Sequence, residues 1–304
     1  MIQSTGDTRY AYVNGIIRAR EARLLTKSHF ERLIAVDENS FGAILSDTAY
    51  AGARDFGESL TIEENVVRAF FDRSCVTPEV RSLVEWPEQI HNLKVKLKQG
   101  GKELLYGSSS EEVESWPDVV DAVAAYALEK DPFVLSTALD RALCRHLYEA
   151  ALFGEFFRGY YELYFDLENI RSFFRVKQFD DRREILKSVY IPAGRLSLDL
   201  LVDCLDLAHD QLVRNLFNTP YAAIVDRGGV YYEKNNSFLR LERLCEERRL
   251  GYLAQARWMA FGVEPLFGYY MFKNSEITKL RQVYWGKLNE VPVENLKESI
   301  PDVW

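Results

Sequence analysis

Histidines, carboxylate pairs, glycine pairs and tyrosines are the residues of this chain whose types could do chemistry, and their spacing does not bring them together. His29, His91, His146 and His209 are scattered, with no Glu or Cys partner at metal-ligand spacing, so each reads as a surface or satisfied core position and no metal is assigned. Gly100-Gly101 and Gly228-Gly229 lack the flanking glycine and lysine that place backbone donors around a phosphate. No nucleotide or other cofactor is expected. Glu63-Glu64 and Asp180-Asp181 are adjacent pairs, and adjacent residues on a helix point apart, so both read as solvated and not as acid–base pairs. The 17 Tyr and 18 Phe read as inter-helix packing with hydroxyls reaching polar edges. No catalytic residue is assigned.

What recurs is a cation. The segments HNLKVKLK (His91 to Lys98), ENIRSFFR (Glu168 to Arg175) and TKLRQVYW (Thr278 to Trp285) place an apolar residue before Lys94, Arg171 and Arg281. On equivalent helices these charges would form a ring able to bind an acidic partner. Alternatively, each pairs with a helix C-terminus or with neighbouring acids and maintains the repeat. Two residues earlier stand Asn92, Asn169 and Lys279; a mid-helix asparagine is unfavourable unless its amide satisfies backbone groups, such as those of an adjoining turn.

The elements that must position these residues are helices. From Phe153 to Phe174 the apolar residues advance by three or four, as one buried helix face requires, and no comparable alternation supports strands. Thr61 with Glu64 and Ser115 with Asp118 fit capping boxes, and Thr77-Pro78 pairs an N-cap with proline at the first helical position. Upstream of the second and third cations, Pro117 and Pro220, Glu129-Lys130 and Glu233-Lys234, and Asp140-Arg141 and Glu242-Arg243 recur in order. A shorter version lies near Thr48 and Arg68. Turn-rich breaks follow at Gly100-Gly101, Pro192 to Gly194 and Asn289 to Pro292, and the least ordered stretch is expected from Gly107 to Ser115. The reading is all-α, with three pseudo-repeated helical bundles: residues 1–115, which include an extra N-terminal helix from about Tyr10 to Leu33, then 116–215 and 216–304.

The 304 residues can bury a large core. A formal charge of -8 disfavours nucleic acid, which selects dense Lys and Arg surfaces. Cys75, Cys144, Cys204 and Cys245 sit far apart in apolar surroundings and read as reduced core thiols. No window approaches the ~20 apolar residues of a membrane span, and no basic-then-apolar leader pattern is present, so the chain reads as cytosolic.

The run YAYVNGIIRAREARLLTKSHFERLIAVDENSFGAILSDTAY, with Arg18, Arg20, Leu24-Leu25, Thr48 and Tyr50, resembles the opening of the d subunit of eukaryotic vacuolar ATPases and the C subunit of bacterial and archaeal V/A-type ATPases. IHNLKVKLK, YFDLENIRSFFRVKQF and EPLFGYYMFKNSEITKLRQVYWGKLNEVP resemble the rest of that family, so the resemblance covers nearly the whole chain. It implies a funnel of three related bundles around a central cavity. Such a protein is noncatalytic: it accepts the central-shaft subunits of D and F type in its cavity and sits on the membrane proteolipid rotor ring. The protein would then be cytoplasmic and peripheral on the membrane, with Arg18 and Arg20 either contacting the shaft or forming salt bridges within the first unit. Two other readings differ in class. A generic helical-repeat protein-interaction scaffold would have shorter units of ~34 to 47 residues, and an all-helical enzyme would need a convergent set of ionisable groups.

Overall fold

Periodicity at three and four residues becomes helix throughout the computed structural model, which describes residues 4–51, 55–102, 105–107 and 109–302. The protein is all-α, with no strand among the described residues. In chain order, leaving single turns and 3-10 segments unnumbered, the helices are α1 (Ala11–Glu21), α2 (Lys27–Ala35), α3 (Phe56–Ser74), α4 (Pro78–Leu97), α5 (Pro117–Glu129), α6 (Pro132–Ala151) and α7 (Glu155–Val176). They continue with α8 (Arg182–Val189), α9 (Leu198–Cys204), α10 (His209–Asn215), α11 (Ala222–Asn235), α12 (Leu239–Leu253), α13 (Glu264–Leu288) and α14 (Val293–Glu298). The chain divides into two compact units, one of Thr77–Leu207, the other joining the described residues of Gln3–Val76 to those of Ala208–Trp304.

In the Thr77–Leu207 unit, α6 packs against α4, α5 and α7, and α8 packs on α7. Ile90 and Leu93 of α4 meet Val113, Trp116, Val119, Leu135 and Leu139 in one buried cluster. Thr77 caps α4 with Pro78 in its first turn, as its sequence requires. The start of α5 differs from expectation: Pro117 takes the first helical position, Trp116 becomes the N-cap, and the Ser115 hydroxyl turns back to the Glu112 carbonyl at 2.6 Å. Tyr160 and Tyr161 of α7 are buried, and the Tyr161 hydroxyl donates to the Leu83 carbonyl at 3.3 Å.

In the other unit, α13 packs against α1, α2, α3 and α12. Leu280, Val283 and Ile277 of α13 join Phe30, Leu33, Phe41 and Phe56 in its core. The N-terminal segment is two helices, not one, because Thr26 starts a new one: its backbone N–H donates to His29 Nδ1 at 3.1 Å, the reciprocal half of a capping box. Thr61 lies inside α3, whose cap is Asp55, accepting the Glu58 N–H at 2.8 Å. Residues 52–54, within the first short copy of the repeat, and 108, within the expected loose stretch, lie outside the described residues.

Local devices recur where the sequence repeats. The Thr48 hydroxyl donates to the Leu45 carbonyl at 2.7 Å, and Thr219 to Leu216 at 2.7 Å; the N–H of Tyr50 and of Tyr221 returns to that hydroxyl at 3.3 Å in both. The ends of α4 and α13 match as well. Gln99 and Glu290 take φ of 57° and 55°, and the next N–H reaches back five residues, Gly100 to Val95 and Val291 to Gly286, at 2.8 Å each. The break at Pro192 to Gly194 is placed differently, since α8 intervenes between it and α7.

Candidate functional site

None of the four histidines joins a group of three or more His, Cys, Asp or Glu side chains able to hold a metal among the described residues. His146 stacks on Trp116 with ring centroids 3.7 Å apart, and His209 faces Asp226 at 3.4 Å. The four cysteines are free and buried, and burial pushes the Cys144 thiol up to about 12, which leaves it unreactive at neutral pH. No described helix is long and apolar enough to cross a membrane.

Each repeated cation meets an acid of its own unit. Lys94 pairs with Asp140 of α6 at 2.5 Å, Arg171 with Glu168 one turn back on α7, and Arg281 with Glu64 of α3 at 2.9 Å. Arg281 is the most open of these, its side chain 41% exposed against 12% for Arg171. Arg18 binds Glu21 at 2.6 Å and donates to the carbonyls of Ala256 and Met259 at 3.1 and 3.0 Å. Arg20 lies over the Phe70 ring at 3.9 Å. Both are half-buried.

The buried polar residues of α4, α7 and α13 were only partly legible. Asn92 and Asn169 act as a mid-helix amide must. Asn92 donates to the Tyr106 carbonyl at 3.1 Å and accepts its N–H at 2.8 Å; Asn169 does the same to Ile191 at 2.8 and 2.9 Å. Three residues before the asparagine positions stand Gln89, Asp166 and Glu276, all buried. Asp166 accepts the N–H groups of Arg195 and Leu196 at 3.0 and 2.9 Å. Glu276 accepts the Leu25 N–H at 2.7 Å, the Tyr50 hydroxyl at 2.6 Å and Lys273 at 2.6 Å.

Lys273 also binds Glu63 at 2.9 Å, which corrects the reading of Glu63-Glu64 as a solvated pair: the helical turn sends Glu63 inward and leaves only Glu64 near solvent. Burial works against the Lys273 charge, but Glu276 and then Glu63 outweigh it and raise its pKa above the usual lysine value. Burial, then Glu276, pushes the Tyr50 phenol well above its usual value. This cluster is closed to solvent and acts as a clamp joining α3, α13, Tyr50 and Leu25. Sequence offered one hint, the Lys273 to Glu276 spacing, which reads equally as a surface pair. Glu264, at the start of α13, is fully buried and accepts the Thr5 N–H and hydroxyl at 2.5 and 3.1 Å.

Glu246 of α12 carries a pH dependence. Burial opposes its charge, yet Arg249 at 2.5 Å, the Ser275 hydroxyl at 2.6 Å and Lys279 lower its pKa to about 2. A depressed carboxylate contributes stability that is fully present above its unfolded value and is lost as pH falls through its folded value. The contribution is therefore expected to fade between about pH 4.5 and about 2, and to amount to roughly 3 kcal/mol at neutral pH. Urea midpoints from pH 7 to pH 3 should decline less steeply for Glu246→Gln than for the native chain. Parallel curves would show that Glu246 titrates alike in both states.

The profile of the ATP synthase (C/AC39) subunit family matches residues 89–299. The chain is 27% identical over 330 residues to the C subunit of the V-type sodium ATPase of Enterococcus hirae, spanning 97% of this chain and 99% of that protein. It is 24% identical over 344 residues to the C subunit of the A-type ATP synthase of Thermococcus onnurineus, spanning 97% of this chain and 91% of that protein.

Proposed function

The chain belongs to the ATP synthase (C/AC39) subunit family, and from that premise we propose that it is a noncatalytic central-stalk subunit of a rotary V/A-type ATPase. In this reading it couples the central shaft to the membrane rotor ring and lies on the cytoplasmic face, held to the membrane through the ring. The observation that carries the proposal is similarity along 97% of the chain to two relatives, each named as the C subunit of such a complex. The all-helical build agrees with the role: torque must cross stiff elements, and α13 is clamped by buried ion pairs. Three bundles forming a funnel, with the shaft end in a cavity and the ring at the narrower end, complete the proposal.

For partner contacts, Arg281 is the first candidate among the repeated cations, since its side chain and that of Glu64 are both open enough to exchange partners. Arg18 and Arg20 remain candidates for the shaft, although Arg18 already holds two carbonyls. The tagged chain, isolated from native membranes, is expected to bring down shaft and ring proteins together. The Arg18→Glu, Arg20→Glu double variant, with its helicity checked by circular dichroism, is expected to lose about tenfold in shaft binding while keeping the ring. Recovery of the native chain without either partner would overturn the function. Unchanged shaft binding by the folded variant would only remove those arginines from the contact.

A further inference from the structure

We propose that the groove beside α6 in the Thr77–Leu207 unit is a docking site for an acidic helix of a partner protein, one presenting carboxylates a turn apart. The groove encloses about 430 Å³, and Arg141, Arg145 and Tyr148 of α6 face Lys187, Tyr190 and Pro192 across it. It stands on the geometry of this unit alone and does not depend on the rotary-ATPase reading.

The wall opposite α6 is built before any partner arrives. Asn169 holds Ile191 by both backbone groups, Asp166 holds the N–H groups of Arg195 and Leu196, and the Tyr190 hydroxyl donates to the Leu196 carbonyl at 2.8 Å. Ala193 is fixed in the left-handed region with φ of 76°. A partner therefore meets a formed surface and no loop has to be ordered on binding.

Charge decides what that partner is. On a chain of formal charge -8, three cations line this groove against one acid, Glu149. Arg145 has Asp118, and Lys187 has Glu184 at 2.8 Å in a pair that is 50% and 75% exposed. Arg141 donates to the Lys187 carbonyl at 2.6 Å and has no carboxylate partner among the described residues. Exposed pairs of this kind contribute little and exchange readily for a partner's carboxylates.

Arg141 and Arg145 are four residues apart on one helix face, a rise of about 6 Å. Glutamates or aspartates at the same spacing on a second helix fit that ladder. A phosphate or polyphosphate fits less well, because Arg141 and Arg145 stand a helical turn apart on α6, and Glu149 and the Lys187 carbonyl are among the groups that line the groove or hold its cations. Tyr148 and Tyr190 supply flat apolar faces for the aliphatic side chains between the acids.

The full chain is titrated, by fluorescence anisotropy, into a panel of labelled helix-stabilised peptides bearing Glu at i and i+4 with Leu or Phe between them. A matched panel carries Lys in place of Glu. Acidic members are expected to bind and Lys members not, with affinity falling as salt rises. Arg141→Glu with Lys187→Glu is expected to weaken binding about tenfold or more at unchanged circular dichroism, and Arg141→Lys to weaken it less. Lys187→Glu alone, at an exposed position, serves if the double variant misfolds. Arg214→Glu, an exposed charge in the other unit, should leave binding intact. No binding by any acidic peptide, equal binding of both panels, or insensitivity to the Arg141 and Lys187 variants would each overturn the proposal. Saturable orthophosphate binding that these variants abolish, with no peptide binding, would make the groove a small-anion site instead.

Discussion

Lys273→Met is expected to destabilise the protein by about 3–5 kcal/mol, the usual cost of removing one partner from a buried ion pair. Lys273 is 2% exposed and is the only cation paired with Glu63 and Glu276 among the described residues. Methionine matches its shape but leaves two buried carboxylates in repulsion. The second step of the test separates charge from packing. Adding Glu276→Gln should recover much of the loss, because the amide oxygen can take the Leu25 N–H, the amide NH2 can donate to the Tyr50 phenol oxygen that Lys273 no longer occupies, and one uncompensated charge disappears. Urea unfolding of the native, single and double variants measures both steps. A single-variant loss below about 1 kcal/mol would show that water reaches the cluster and that the ion pairs hold α3 to α13 only weakly.

That cluster marks where reading from sequence stopped. Helices were legible wherever an apolar face ran long enough, as along α7, and a polar residue was legible where its own position broke a rule. Asn92 and Asn169 sit mid-helix, where an amide has to bond backbone, and both do. Glu63, Tyr50 and Lys273 break no local rule, and their meeting depends on tertiary packing between segments more than 200 residues apart, such as Lys273 and Tyr50. The same limit explains the caps. Thr61 has the right neighbours for an N-cap, but Asp55 lies upstream and already accepts the Glu58 N–H, so α3 is under way before Thr61. At Ser115 the proline two residues on decided the outcome, since its ring fixes the first helical position and displaces the cap by one residue. The split between α1 and α2 turned on His29 acting as the reciprocal partner of Thr26, a role the sequence pattern reserves for Glu or Gln.

Gly194→Ala is expected to cost about 3–5 kcal/mol, although it adds one methyl group to an exposed-looking turn. A Cβ at Gly194 would lie 2.1 Å from Asp166 Oδ1. The carboxylate has to leave its place, and with it go two bonds to the N–H groups of Arg195 and Leu196, each worth about 1.5–3 kcal/mol because the acceptor is charged. Asp166 is fully buried, so it finds no water in exchange. The neighbouring position should respond with the opposite sign: Ala193→Gly relieves a φ of 76° and is expected to be neutral or stabilising by up to about 1 kcal/mol. Two adjacent residues exchanging Ala and Gly thus separate steric exclusion from backbone strain. The decisive measurement is the cycle with Asp166→Ala. With the carboxylate gone there is nothing for the new methyl to displace, so Gly194→Ala should cost less than about 1 kcal/mol in that background, and the two effects should be strongly non-additive. Hydrogen exchange at the amides of Arg195 and Leu196 reports the same event locally, rising in either single variant and rising no further in the double. Additive losses would mean that the turn is held by its other contacts, with Tyr190 and Asn169, and that Asp166 merely occupies space beneath it.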